Sequence, residues 1–171
     1  MAEGLPFELS VETHEGLAAV VRAIRQETDA KELRKDLAKN LREVLKPAAA
    51  EAKSAIMSMP SAGTRHGGPG LRSMVARKIR PEVKLGGRWS GARVKAFKTP
   101  GIRGFANAPK RLNRPRGWRH LTYGREPWVT QHGKDHWFDR AMETRQAHYR
   151  AAVVNALEDM AQRLAQRAGQ G

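Results

Sequence analysis

Apolar residues recur along this chain at two spacings, and each spacing predicts a different element. Phe7, Leu9 and Val11 alternate with Glu8, Ser10 and Glu12, the period-two pattern of a short strand. Between Gly16 and Glu27, Leu17, Val20, Val21 and Ile24 fall on one side of a helix, with Thr13 ahead of it as an N-cap. Thr28 and Asp29 then punctuate the chain. Leu33, Leu37, Leu41, Val44, Leu45, Ala48, Ala52 and Ile56 form a ladder close to i, i+4, which predicts a long helix from about Ala30 to Met59. Lys31, Arg34, Lys35, Asp36, Lys39, Arg42 and Glu43 lie between the rungs as a solvated face. Pro47 lacks an N–H and crowds the preceding turn, so a kink or break is expected there. The alanines around it leave room for the close approach of another backbone.

Pro60 to Gly70 holds four glycines and two prolines among its residues and reads as a loop. Leu71 to Ile79 predicts a short helix with Leu71, Met74 and Val75 on one face, ended by Pro81. Strand patterns follow at Glu82–Leu85 and Ala92–Phe97, and Gly86 to Gly91 joins them as a hairpin. Thr99 to Gly117, rich in glycine, proline and arginine, reads as irregular and ordered against a partner. Trp128 to Gln131 predicts another strand. A final helix is expected from Trp137 to Ala168, carrying Phe138, Met142, Tyr149, Val153, Ala156, Leu157, Met160 and Leu164 at helical spacing. There is no internal repeat. The expected class is α+β: N-terminal and C-terminal helices packed with a small antiparallel sheet, plus an extended basic hairpin or arm. A single domain over 1–171 then comprises a helical arm (14–59), a basic insertion (60–125) and a strand with the C-terminal helix (126–171).

Charge changes the picture. Residues 60–125 carry 17 Lys/Arg and one acid, Glu82, whereas the remainder carries 15 Lys/Arg and 16 Asp/Glu. Such a block favours nucleic acid or acidic protein faces, and reads as an assembly arm outside the core; a merely solvated loop is the plainer reading. The chain has no cysteine, which excludes disulfides, thiolate metal sites and a cysteine nucleophile. The N-terminal residues are acidic where a secretory signal would be basic and then apolar, and no apolar run approaches a membrane span, so a soluble protein made in a cytoplasm is expected.

Candidate chemistry is sparse. His132 and His136 are four residues apart with Asp135 and Asp139 nearby, but Gly133 and Lys134 separate them and no Glu follows the first His, so they read as loop residues and not as metal ligands. Phosphate-binding and nucleophile-elbow motifs are missing, and the acids lie among bases on the helical arms. No enzyme, cofactor or metal is expected. The candidate contacts to a polyanion or a neighbouring subunit are Arg72, Arg77, Lys78, Arg80, Lys84, Arg88, Trp89, Arg93, Lys95, Lys98 and Arg103. Trp89, Phe97 and Trp118 are interleaved among the bases and suit either base stacking or protein anchoring. Nonspecific nucleic-acid binding is therefore the alternative to assembly. Trp128, Trp137 and Phe138 form a candidate structural hinge: Phe138 packs inward with Met142, and the tryptophans set the angle of the loop before the last helix.

The stretch Arg119-His120-Leu121-Thr122-Tyr123-Gly124-Arg125-Glu126-Pro127-Trp128-Val129-Thr130-Gln131, followed by Trp137-Phe138-Asp139-Arg140-Ala141, resembles a block in small virion proteins of long-tailed phages of actinobacteria. The wider tail-completion (neck, or head–tail connector) family is similar in order, with helices, a Gly/Pro loop, a Gly-x-Leu-x-x-Ser-like segment, strands, an aromatic-Gly turn, and Phe before the closing helix. Gly70-Leu71-Arg72-Ser73 stands in the Gly-Leu-x-Ser place, and Thr122 stands where that family often has an acid. The resemblance implies a structural virion subunit, forming a hexameric ring with copies of itself around the DNA channel. Its implied partners are adjacent neck and tail-tube proteins and packaged DNA; no membrane, cofactor or catalysis is implied. Localisation would be the virion, and the host cytoplasm during assembly. Within the family, a tail-terminator role is the alternative.

Overall fold

The computed structural model describes residues 14–60, 70–102, 104–122 and 124–169. The strand pattern at Phe7–Val11, the cap at Thr13, nearly all of the Pro60–Gly70 loop, and Arg103 and Tyr123 lie outside them. The elements in order are α1 (His14–Ile24), α2 (Ala30–Met57), α3 (Leu71–Ala76), β1 (Ile79–Lys84), β2 (Gly91–Ala96), α4 (Ala108–Asn113), β3 (Trp118–Thr122), β4 (Arg125–Gln131), α5 (Trp137–Glu143) and α6 (Gln146–Ala168). The class is α+β. Among the described residues the strands form two two-stranded sheets instead of one small sheet, β1 with β2 and β3 with β4.

Several boundaries differ from the sequence pattern for identifiable reasons. Helix α2 passes through Pro47 without a break. Pro47 is exposed, while Leu37, Leu41, Leu45, Ala48, Ala52 and Ile56 are fully buried on both sides of it. Each buried leucine contributes about 1.5–3 kcal/mol, so a continuous apolar face outweighs the roughly 3 kcal/mol that one internal proline costs. Helix α3 ends at Ala76, and Ile79 and Pro81 belong to β1. A two-stranded sheet gives each strand an outer edge, where proline is tolerated. The segment expected to be irregular contains α4, which starts on Pro109 in its first turn and buries Ala108, Pro109 and Leu112. The final helix is two helices, because Arg145 leaves the helical region (φ −130°, ψ 23°) between α5 and α6. The Thr144 hydroxyl donates to the Arg140 carbonyl at 2.9 Å and closes the last turn of α5. The basic block is also not wholly outside the core, since Val75, Ile79, Ala92, Val94, Ala108 and Leu112 are buried.

The described chain divides into two compact units. One gathers residues of Ala49–Arg80 and Lys95–Thr144; the other holds those up to Ala48, then Pro81–Val94 and Arg145 onward. In the second unit α1 packs against α6. Leu17, Val20, Val21 and Ile24 are buried on α1, and Val153, Ala156, Leu157, Met160 and Leu164 on α6. Arg34 donates to the Leu85 carbonyl at 3.1 Å, and Arg93 donates to Glu82 at 2.6 Å. At the far end of α6, Arg167 donates to both carboxylate oxygens of Asp29, at 2.9 and 2.8 Å, just before α2 begins. The Arg167 hydrogen bond, with the attraction of the two charges, holds the Asp29 carboxyl below its ordinary range. A carboxyl lowered in the folded state stabilises above its unfolded pKa and loses that contribution as pH falls through the folded value. Asp29→Asn is therefore expected to lower the melting temperature slightly at neutral pH and to make no difference at strongly acid pH. Melting curves of both proteins across pH 2–7 check this, and equal differences at every pH would contradict it.

Candidate functional site

In the first unit the most exposed element is the β3–β4 ribbon. Its strands are antiparallel, pairing Trp118 with Gln131, Arg119 with Thr130, His120 with Val129 and Leu121 with Trp128, before an irregularity shifts Thr122 to Arg125. Side chains alternate across a strand, so the ribbon has two distinct faces. Trp118 lies on one, half-buried, with its ring 5.0 Å from that of Phe105, over which Arg111 is placed at 5.3 Å. On the other face the Arg119 guanidinium stands 5.6 Å from the centre of the Trp128 ring, its diagonal neighbour. Every residue of β4 is exposed; Trp128 retains 50% of its accessible surface and Val129 36%. Both are among the few large apolar residues left in solvent.

The ribbon is held at the end nearest α5 by close backbone packing. Gly117, at φ +63°, lies so near the Gln131 carbonyl that a Cβ there would stand 2.2 Å from the oxygen. A Cβ on Gly133 would meet the Leu112 carbonyl at 2.4 Å. Neither position has room for a side chain, which explains a glycine at each. The chain then turns through His136, which adopts the left-handed conformation (φ 51°, ψ 28°) and enters α5. Trp137 and Phe138 follow, both buried, with rings edge to face at 5.4 Å, and Met142 is buried one turn later.

Asn113, the last residue of α4, ties this turn to the preceding helix. Its side-chain oxygen accepts from the Phe138 N–H at 3.0 Å, its amide donates to both oxygens of Asp139 at 3.2 Å, and its own carbonyl accepts from the His136 N–H at 2.9 Å. Asp139 is a buried carboxylate, and His136 meets it through Nδ1 at 2.8 Å. A carboxylate only accepts, so Nδ1 carries the proton in this contact. Among the described residues no group of three or more His, Asp or Glu side chains is arranged to hold a metal ion. The histidine spacing noted in the sequence has a different content here: His136 serves Asp139, whereas His132 is an exposed loop residue. His136→Ala is accordingly expected to cost about 1–2 kcal/mol, less than a fully buried charged hydrogen bond because the ring is half in solvent. His132→Ala should leave the melting curve unchanged. Equal effects of the two substitutions would refute the assignment.

The basic residues singled out from the sequence divide by exposure. Arg77, Lys78, Arg80, Lys84, Arg88 and Lys98 are exposed. Arg80 and Lys95 both lie over the Phe97 ring, at 4.5 and 5.1 Å, and Arg88 lies over the exposed Trp89 at 5.3 Å. Arg72 is occupied locally: its guanidinium donates to the carbonyls of Met57 and Met59, closing the C-terminal end of α2. Arg93 is buried against Glu82 and is not presented to solvent. Arg103 lies outside the described residues. Of the hinge residues, Trp137 and Phe138 are in the core, and Trp128 is on the exposed strand. Asn113 is not legible in the sequence, because no local spacing marks an asparagine whose partner is 26 positions away. Arg119 is not among the contact residues expected from the sequence, although the alternation of Trp128 and Thr130 is consistent with its place on the ribbon face.

Charge is uneven between the units as well. The first unit holds 17 Lys/Arg against 6 Asp/Glu, and the second holds 15 against 11. No described helix is long and apolar enough to cross a membrane. No protein-family model, curated protein or solved structure matches the chain.

Proposed function

We propose that the chain is a structural subunit of a tailed-phage virion, one of a ring of identical copies at the neck between head and tail, around the DNA channel. The observation that carries this reading concerns the 119–141 block. That block resembles one in small virion proteins of long-tailed phages of actinobacteria, and it includes a strand exposed along its whole length, with Trp128 and Val129 in solvent. A tryptophan and an arginine stacked together on an exposed face contribute little to the fold of the monomer, whereas both residue types are enriched where proteins meet. The excess of positive charge in the same unit suits an acidic neighbour in the stack or the DNA that passes through it. Neck and tail-tube proteins are the proposed neighbours, and the reading needs no cofactor and no catalytic step.

The test is to label virions with an antibody raised against the purified protein and to locate the label by electron microscopy. Label at the head–tail junction is expected, retained on tail-less heads for a completion protein and on isolated tails for a terminator. Particles that carry no label would overturn the proposal.

The exposure of Arg77, Lys78, Arg80, Lys84, Arg88 and Lys98 also favours a second reading, nonspecific binding to nucleic acid. Six phosphate contacts would give a slope of about −5 in log K against log salt, a loss of roughly 10³-fold between 50 and 200 mM. Neck assembly is expected to survive salt that abolishes binding to free DNA. Release of the protein from particles in step with that binding would favour the second reading.

A further inference from the structure

The outer edge of β4 carries no strand among the described residues, and its two halves differ. Natural sheet edges are protected from unwanted pairing by charges and proline. The first half of β4, Arg125-Glu126-Pro127, has all of these; the second, Trp128-Val129-Thr130-Gln131, has none, and its Trp, Val and Thr favour strands. An exposed four-residue edge of this composition is a template for another strand.

The same chain holds a segment suited to it. Phe7-Glu8-Leu9-Ser10-Val11-Glu12 has strand alternation, and the first thirteen residues contain three acids, Glu3, Glu8 and Glu12, and no Lys or Arg. Six extended residues span about 20 Å, more than enough to cover the unprotected half of β4. An isolated alternating segment cannot be stable alone in water and needs an edge to pair with. The receiving edge is flanked by the exposed cations Arg119, Arg125 and Lys134 and by the acids Glu126 and Asp135, the latter paired with Arg140, so the acceptor is net positive and the donor net negative.

We propose that residues 7–12 of one copy add as a strand to the Trp128–Gln131 edge of β4 in the next copy, by β-augmentation. This rests on the ring reading of the chain. Donor and acceptor are different surfaces, so the contact is head to tail, and repeated contacts of that kind close into a ring when the rotation allows. Each copy then gives one strand and receives one, and the unprotected half of the β4 edge is covered.

The chain has no cysteine, which makes an unambiguous test available. Full-length single-cysteine variants Glu8→Cys, Ser10→Cys and Glu12→Cys are each mixed with Thr130→Cys or with Val129→Cys and oxidised. Light scattering follows oligomer size in parallel. The expected result is mixed disulfide dimers with only one of the two β4 positions, because neighbouring strands bring together side chains of a single face. Reversing two donor charges (Glu8→Lys with Glu12→Lys in the Ser10→Cys chain) is expected to slow the cross-link about tenfold. Cross-linking to both faces alike overturns the proposal, and so does a chain carrying both Ser10→Cys and Thr130→Cys (or Val129→Cys) that closes an internal disulfide and forms none between chains. Rings that form without the cross-link overturn the strand exchange and leave the ring reading standing. Cross-linked open chains that never close uphold the exchange and overturn the ring. A chain that neither associates nor cross-links overturns both.

Discussion

Phe138→Ala is expected to lower stability by about 3–5 kcal/mol, the usual cost of truncating a buried phenylalanine. Phe138 is almost fully buried, stands edge to face with Trp137, and shares the core with Met142 on the next turn of α5. Its N–H is held by Asn113, so the ring is fixed in place by backbone as well as by packing. A domain of this size has only about 5–15 kcal/mol in total, and the loss falls on one of two units. The unit containing α4, β3, β4 and α5 should therefore melt first, giving a broadened or two-step transition by circular dichroism, and less soluble protein. A variant melting within about two degrees of the parent would show that the ring contributes little.

Asn113→Ala is expected to cost about 2–5 kcal/mol, more than a typical polar substitution, because two buried residues each lose a hydrogen bond together. The Phe138 N–H sits in the first turn of α5, where no carbonyl of the helix itself reaches it. Asp139 loses the Asn113 amide donor and keeps the hydrogen bond from a histidine that is half in solvent. Removing the carboxylate as well should recover part of the loss, since the alanine then no longer faces a poorly satisfied buried charge. The double variant Asn113→Ala/Asp139→Ala is thus expected to be more stable than the two single losses added together, by at least about 1 kcal/mol. Additive losses in denaturant unfolding would show that the two residues act independently.

The sequence by itself determined the elements whose pattern is long and regular. The ladder from Leu33 to Ile56, the apolar stripe of the C-terminal helix, and the strand signals at 82–85, 92–97 and 128–131 all correspond to elements of the fold, and together they sufficed for the α+β class. Periodicity is a local property of the chain, and burial of one face follows from it directly. Other features depended on tertiary partners. Whether α2 would break at Pro47 was decided by the apolar face continuing beyond it; α4 exists because Ala108, Pro109 and Leu112 have somewhere to be buried. The division of the sheet into two ribbons, and of the last helix at Arg145, is likewise invisible to a periodic pattern, because side-chain spacing does not say which strand pairs with which. Composition marked Arg72, Arg88 and Arg93 alike as cations. Only the fold sent Arg72 to the carbonyls ending α2 and Arg93 to Glu82, leaving Arg88 in solvent over Trp89. A residue's type sets what it can bind, and its neighbours in space, which lie far apart in the chain, set whether that capacity is already used.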